Sequence, residues 1–191
     1  HGKWAVLLMI VSFLGGICGG LLLLATSNAA FSRLIPWLLL LATALFAFSG
    51  QVSKLVQWVK GGTGGPPPAR NPGGPGGALF QFIVAVYGGF FGAGMGILTL
   101  AALSIQGFED IQEINALKNL TSGINYFVSS ATFIVAGAIS WPHTGVMLVT
   151  AMAGGYVGAA FARRLPARWL KRLVVMVGAS LTVIYFAKTT F

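Results

Sequence analysis

Residues 110–139 read DIQEINALKNLTSGINYFVSSATFIVAGAI, and this stretch decides how the rest of the chain is read. Six of its polar positions, Asn115, Lys118, Ser122, Asn125, Ser129 and Thr132, follow one another at steps of 3, 4, 3, 4 and 3. A helix turns that spacing into a single narrow polar seam on an otherwise apolar surface. Upstream lies Gly88-Gly89-Phe90-Phe91-Gly92-Ala93-Gly94-Met95-Gly96, with five glycines in nine residues. Each glycine weakens a helix by about 1 kcal/mol relative to alanine. Two readings stay open for this third apolar segment, Ala78 to Gln106. One is a broken or re-entrant segment, and the other is a continuous helix that uses glycine for close packing.

Composition sets the solvent. Only 8% of the 191 residues are charged and 56% are hydrophobic, with a mean hydropathy of +0.84. A soluble domain carries about 25% charged residues. The expected class is therefore an all-α, polytopic transmembrane helical bundle whose main partner is the lipid bilayer. The net charge of +9 comes from 12 Lys and Arg against 3 acids. Those bases sit between apolar segments, where they orient the chain and meet anionic headgroups. No nucleic-acid-binding pattern accompanies them.

Taken in order, Trp4 to Thr26 is the first span, with Gly15, Gly16, Gly19 and Gly20 as a small-residue face and Cys18 as a packing residue among them. A polar hinge (Ser27, Asn28, Ser32, Arg33) precedes a second span, Leu34 to Phe48, with Pro36 expected in its first turn. Gln51 to Lys60 reads as an interfacial helix end. Gly61 to Gly77 reads as a Gly/Pro-rich linker. Asp110 and Glu113 start the seam helix as a capping pair. Trp141 to Ala162 and Trp169 to Ala187 are the last spans, separated by a basic group containing Arg163, Arg164, Arg168, Lys171 and Arg172, which places that connection in the cytoplasm. The domains follow as 1–50, 51–77 and 78–191.

Sliding the chain on itself by 139 residues matches Gly15, Gly16 and Gly19 with Gly154, Gly155 and Gly158, Arg33 with Arg172, and Thr43 with Thr182. Spans one and two then correspond to spans five and six, as in transporters built from repeats. The repeats are inverted if the third segment does not cross, because the two basic connections then share a side. The chain starts at His1 without a methionine, and the repeat leads to the expectation of an internal fragment lacking the start of its first half.

No catalytic set is visible, and an enzyme is not expected. The two histidines, His1 and His143, have neither acid nor nucleophile at useful spacing, and His143 reads as an interfacial residue. With one cysteine and three clustered acids they make no metal set, and no cofactor is implied. What remains is the seam. Lys118 is the sole basic residue between Arg70 and Arg163. Inside an apolar bundle a lysine is costly unless it meets water, a partner or an anion. The expected substrate-binding set is Lys118, Asn115, Asn119, Ser122 and Asn125 with the backbone of Gly92, Gly94 and Gly96, holding a small anion. The plainer alternative has Lys118 snorkelling to the interface and the Asn, Ser and Thr side chains bonding to facing helices.

At these residues the chain resembles the sulfite exporter TauE/SafE family of membrane transporters. The resemblance rests on Tyr87 to Gly96, on Asn115-Ala116-Leu117-Lys118-Asn119, on the Gly137 to Trp141 turn, and on Gly154-Gly155-Tyr156-Val157-Gly158 followed by Ala162-Arg163-Arg164-Leu165-Pro166. It implies a multi-pass protein of the bacterial inner membrane made of two related halves, an exporter or uptake protein for sulfite, sulfonates or related sulfur compounds, with export the expected direction. A homo-oligomer is compatible with it. The chain departs from the pattern at Ile114, where the family more often has alanine. A membrane assembly or helper subunit with no flux of its own is the alternative function.

Overall fold

The computed structural model describes residues 2–48, 75–106, 108, 110–162 and 166–190. Among them the secondary structure is entirely helical: α1 (Gly2–Ala25), α2 (Asn28–Ala47), α3 (Pro75–Phe90), α4 (Met95–Ile105), α5 (Ile111–Val135), α6 (Trp141–Ala162) and α7 (Ala167–Thr190). Three helices are long and apolar enough to cross a membrane, over Trp4–Ala25, Asn28–Ala47 and Trp141–Phe161. The expected interfacial segment Gln51 to Lys60 lies outside the described residues, as does most of the linker.

The glycine run resolves as a break. Gly92 and Gly94 have φ of 79° and 80°, a left-handed region that glycine enters without steric cost. The Gly92 amide reaches back to the Tyr87 carbonyl at 3.2 Å instead of continuing the helical ladder, and Met95 N–H donates to Gly92 O at 3.2 Å to start α4. The chain then turns back on itself. A Cβ on Gly88 would meet the Met95 side chain, and one on Gly77 would lie 2.8 Å from Gln106 Cγ. The first pair joins the end of α3 to the start of α4 and the second brings the far end of α4 beside the start of α3, so the two half-helices run antiparallel. The third segment is therefore a helical hairpin, and the continuous-helix alternative is set aside.

Helix α1 runs parallel to both α3 and α5 and holds them together. Its glycine face makes the contact. A Cβ on Gly15 would collide with Ala85, and one on Gly19 would collide with Val86 O and lie 2.8 Å from Gly89 Cα. On the other side Gly16 faces Asn125 and Gly20 faces Thr132. Without side chains the backbones approach closely, which is how helices associate in lipid. At one end Leu8, Leu103, Phe108 and Ile114 form an apolar cluster joining α1, α4 and α5. Cys18 is exposed on α1 rather than packed, because the glycines, not the cysteine, occupy the contact face.

Helix α2 begins earlier than its polar residues suggest. Ser27 caps it, accepting a 3.3 Å hydrogen bond from Ala30 N–H, so Asn28, Ser32 and Arg33 are helical. Pro36 consequently sits inside the helix and is buried, not in the first turn; membrane helices tolerate such a proline when neighbours take up the freed carbonyl. Pro75 likewise opens α3, where a missing amide costs little, so the last three residues of the expected linker are helical.

Helices α2 and α7 pair antiparallel. Gly178 meets Thr43, while Trp37 and Phe186 stack edge to face at 5.3 Å. The C-terminal end of α2 and the N-terminal end of α7 therefore lie together. Helix α6 has the expected bounds and none of its membrane-length window is buried.

Candidate functional site

The site is built where α5 passes the α3–α4 break. Asp110 caps α5, its Oδ1 accepting the Gln112 amide at 2.9 Å, which fixes where the seam begins. Sixteen residues beyond the cap, about 24 Å along the helix, stands Tyr126, whose hydroxyl donates to Gly92 O at 3.2 Å. Tyr87 on α3 donates to Ala93 O at 2.6 Å. Two phenols thus take up carbonyls of the break, which in an apolar setting would be costly to leave unpaired.

The seam itself divides in two. Asn125 and Ser129 face α1 and α3. Asn125 is fully buried, and its Nδ2 donates to Ala85 O at 2.8 Å and to Ser12 O at 3.4 Å. Ser129 donates to Gly16 O at 3.2 Å and to Asn125 O at 2.9 Å. These residues hold helices together as well as lining the break. Thr132 bonds within α5, to Val128 O at 2.9 Å, and packs on Gly20.

The other part faces α4. Lys118 is half-buried, with Nζ 3.4 Å from Asn115 Oδ1, and its stem lies 3.8 Å from where a Gly96 Cβ would stand. Gly96 belongs to the first turn of α4. The flanking amides of Met95 and Ile97 are spent on Gly92 O and Gly94 O; the Gly96 amide has no hydrogen bond among the described residues. Ser122 lies one turn beyond Lys118 on the same face of α5 and is half-buried.

The expected residues are not all brought together. Lys118 lies against Gly96 and Asn115 bonds to its ammonium, whereas Gly92 lies under Tyr126 and Gly94 against Leu45 and Ala42 of α2. Asn119 does not join them. It is exposed, and lines an open apolar groove of about 630 Å³ with Met9, Phe13, Gly123 and Phe127 between α1 and α5.

Sequence periodicity missed four participants. Gln81 and Ser12 are both fully buried, with Gln81 Nε2 3.4 Å from Ser12 Oγ. Tyr87 and Tyr126 fall outside the polar seam that the period picks out. A lone glutamine in an apolar helix is a signal that reading for intramembrane polar groups could have caught; the tyrosines gave none. Among the described residues, no group of three or more His, Cys, Asp or Glu could hold a metal ion.

A helical hairpin packed against the glycine face of α1 and against α5, in a chain with three apolar helices of membrane-spanning length, defines a multi-pass helical membrane protein. The family profile described as sulfite exporter TauE/SafE matches residues 1–185, and the chain belongs to that family. A curated relative from Haemophilus influenzae (strain ATCC 51907 / DSM 11121 / KW20 / Rd), described as a probable membrane transporter protein, is 25% identical over 185 residues. That alignment covers 94% of this chain and 66% of the relative, so the chain spans just under two thirds of the relative's length. No solved structure matches it.

Proposed function

We propose that this chain is part of a secondary transporter of small anions in the bacterial inner membrane, exporting sulfite, sulfonates or related sulfur compounds. The observation that carries this reading is Lys118 lying against Gly96 at the N-terminal turn of α4. A half-helix N-terminus presents positive dipole and free amide to an anion, and a neighbouring ammonium adds a full charge. An anion there also offsets the cost of placing a lysine among apolar helices. The α3–α4 hairpin supplies that N-terminus inside the bundle, in the manner of discontinuous helices in transporters. Asn115 orients the ammonium, and Ser122 adds a hydroxyl on the same face. Family membership and the described name of the relative support transport; the choice of sulfur compounds rests on the family name.

Two measurements on the protein in its natural length test the reading. Sulfite should raise its melting temperature in detergent in a saturable way, and vesicles containing it should carry sulfite. Lys118→Ala should remove both responses while the protein still reaches the membrane. Unchanged flux would take Lys118 out of the site. A helper subunit would instead show a stoichiometric partner and no ligand response.

A further inference from the structure

Every residue of α6 from Trp141 to Phe161 is exposed. Among the described residues nothing lies within 4 Å of where a Cβ on Gly154, Gly155 or Gly158 would stand. Glycine weakens a helix relative to alanine, and in lipid that loss is recovered where the missing side chains let another backbone approach. These glycines stand at the spacing of Gly15, Gly16 and Gly19 on α1, 139 residues earlier. On α1 each of them meets a neighbour closely. Gly15 faces Ala85, Gly19 faces Val86 O and Gly89, and Gly16 faces Asn125. This spacing therefore fits a glycine-broken hairpin on one side and a polar-seam helix on the other.

Helices α2 and α7 fix where such a pair would stand. They follow α1 and α6 at the same offset, with Arg33 matching Arg172 and Thr43 matching Thr182. They pack antiparallel, with Thr43 against Gly178. Thr182, one turn on, is buried and donates to Gly178 O at 2.7 Å. Two equivalent helices in antiparallel contact are related by a two-fold axis perpendicular to both, the geometry of inverted repeats.

We infer that the Gly154, Gly155 and Gly158 face of α6 is the docking face for a second helical hairpin and its following helix, built as α3 to α5 are and carried by the part of the natural-length protein outside this chain. The rotation that exchanges α2 with α7 exchanges α1 with α6 and sets this second group beside α6. A second copy of the chain does not supply it, because in every copy Ala85, Val86, Gly89 and Asn125 are already covered by its own α1. Length allows the assignment. About a third of the Haemophilus influenzae relative lies outside the alignment, more than the stretch from Pro75 to Val135 that makes α3, α4 and α5. Each glycine helix thus grips the hairpin of the opposite half, and an amide side chain is expected against Gly155 as Asn125 stands against Gly16. The docking face does not depend on the anion reading at Lys118.

The test uses the natural-length protein purified in detergent. Met147 is exposed here and matches Leu8, which is buried on the same face of α1. With benzoylphenylalanine in place of Met147, illumination should join α6 to a peptide of the same polypeptide outside residues 1–191, mapped by mass spectrometry in a product of monomer mass. A product of twice that mass would give the face to a second copy and overturn the inference. Adducts to detergent or lipid alone, or to residues within 1–191, would overturn it as well. Gly158→Leu should lower the melting temperature by about 5 °C or more. Ala160→Leu, on the opposite side of α6, should leave it within about 1 °C. Equal melting of the two variants would also sink the docking face. Should Gly158→Leu fail to fold, the crosslink decides by itself, since the glycines are intact in it. None of these readouts involves sulfite, so the docking face and the anion site can fail independently.

Discussion

The Tyr87 hydroxyl donates to the Ala93 carbonyl at 2.6 Å, so a residue of α3 closes over the loop that ends its own helix. Tyr126 does the same from α5, onto Gly92 O at 3.2 Å. The break is thereby held from both sides. In water these bonds would be replaced easily; in an apolar bundle the carbonyls have few other donors.

Removing the phenols should loosen the break without emptying the bundle. Tyr87→Phe and Tyr126→Phe each lose a hydrogen bond worth about 0.5–1.5 kcal/mol. Both variants should insert normally, melt a few degrees lower, and bind sulfite several-fold more weakly, since the Gly96 amide is set by the same loop. Thermal melting with and without sulfite measures both effects. Wild-type sulfite affinity in the double variant would show that the loop is positioned by its glycines alone.

In this chain expressed by itself, the two glycine faces should respond oppositely to the same change. On α1, Gly19→Ala places a Cβ against Val86 O, Gly89 and Phe90. Backbone cannot move aside as a side chain can, so destabilisation of about 1–3 kcal/mol is expected. On α6, Gly154→Ala meets nothing within 4 Å in this chain, and the helix gains up to about 1 kcal/mol of propensity. Fluorescence-detected size exclusion after a heating series compares the two. Equal loss at both positions would mean that α6 packs as tightly as α1 in the assembled protein.

Asn119 provides a control within the seam. It lines the groove toward Met9 and Phe13 instead of the break, so Asn119→Ala should leave sulfite affinity within about twofold of wild type. Asn115→Ala, which frees the Lys118 ammonium, should weaken it by tenfold or more. A titration of both variants decides the matter, and the reverse order would place the site on the other side of α5.

The antiparallel pairing of α2 with α7 predicts topology. The chain leaves α2 and enters α7 at the same end, and the basic residues flanking those ends in sequence should share a side, the cytoplasm. With Cys18 replaced by alanine, Lys60→Cys and Arg168→Cys should react with an impermeant maleimide from the same face of the membrane. Labelling from opposite faces would contradict the pairing.

Helix content, the membrane setting and the existence of a weak point at Gly88 to Gly96 were legible in the chain itself. So was the Asp110 cap, because capping depends on residues only a few positions apart. The boundary of α2 was misjudged at Ser27 to Arg33, since a serine cap and three polar helical residues look alike without the backbone. The break was legible as a possibility only. Glycine permits a positive φ but does not impose it.

The seam shows where sequence stops. Periodicity placed Asn115, Lys118, Ser122, Asn125, Ser129 and Thr132 on one face, yet nothing in the period says what stands opposite. The fold sent Asn125 and Ser129 against α1 and α3, and Lys118 toward the start of α4. Asn119, about 120° from Asn125 around the helix, went to an outer groove. Gln81 was brought to Ser12 across 69 residues of chain, and the tyrosines found the carbonyls of the loop. Hydropathy and periodicity are local properties and settle what each helix is. Whether α4 turns back beside α3, and so whether a helix N-terminus comes to face a lysine, depends on contacts between distant segments.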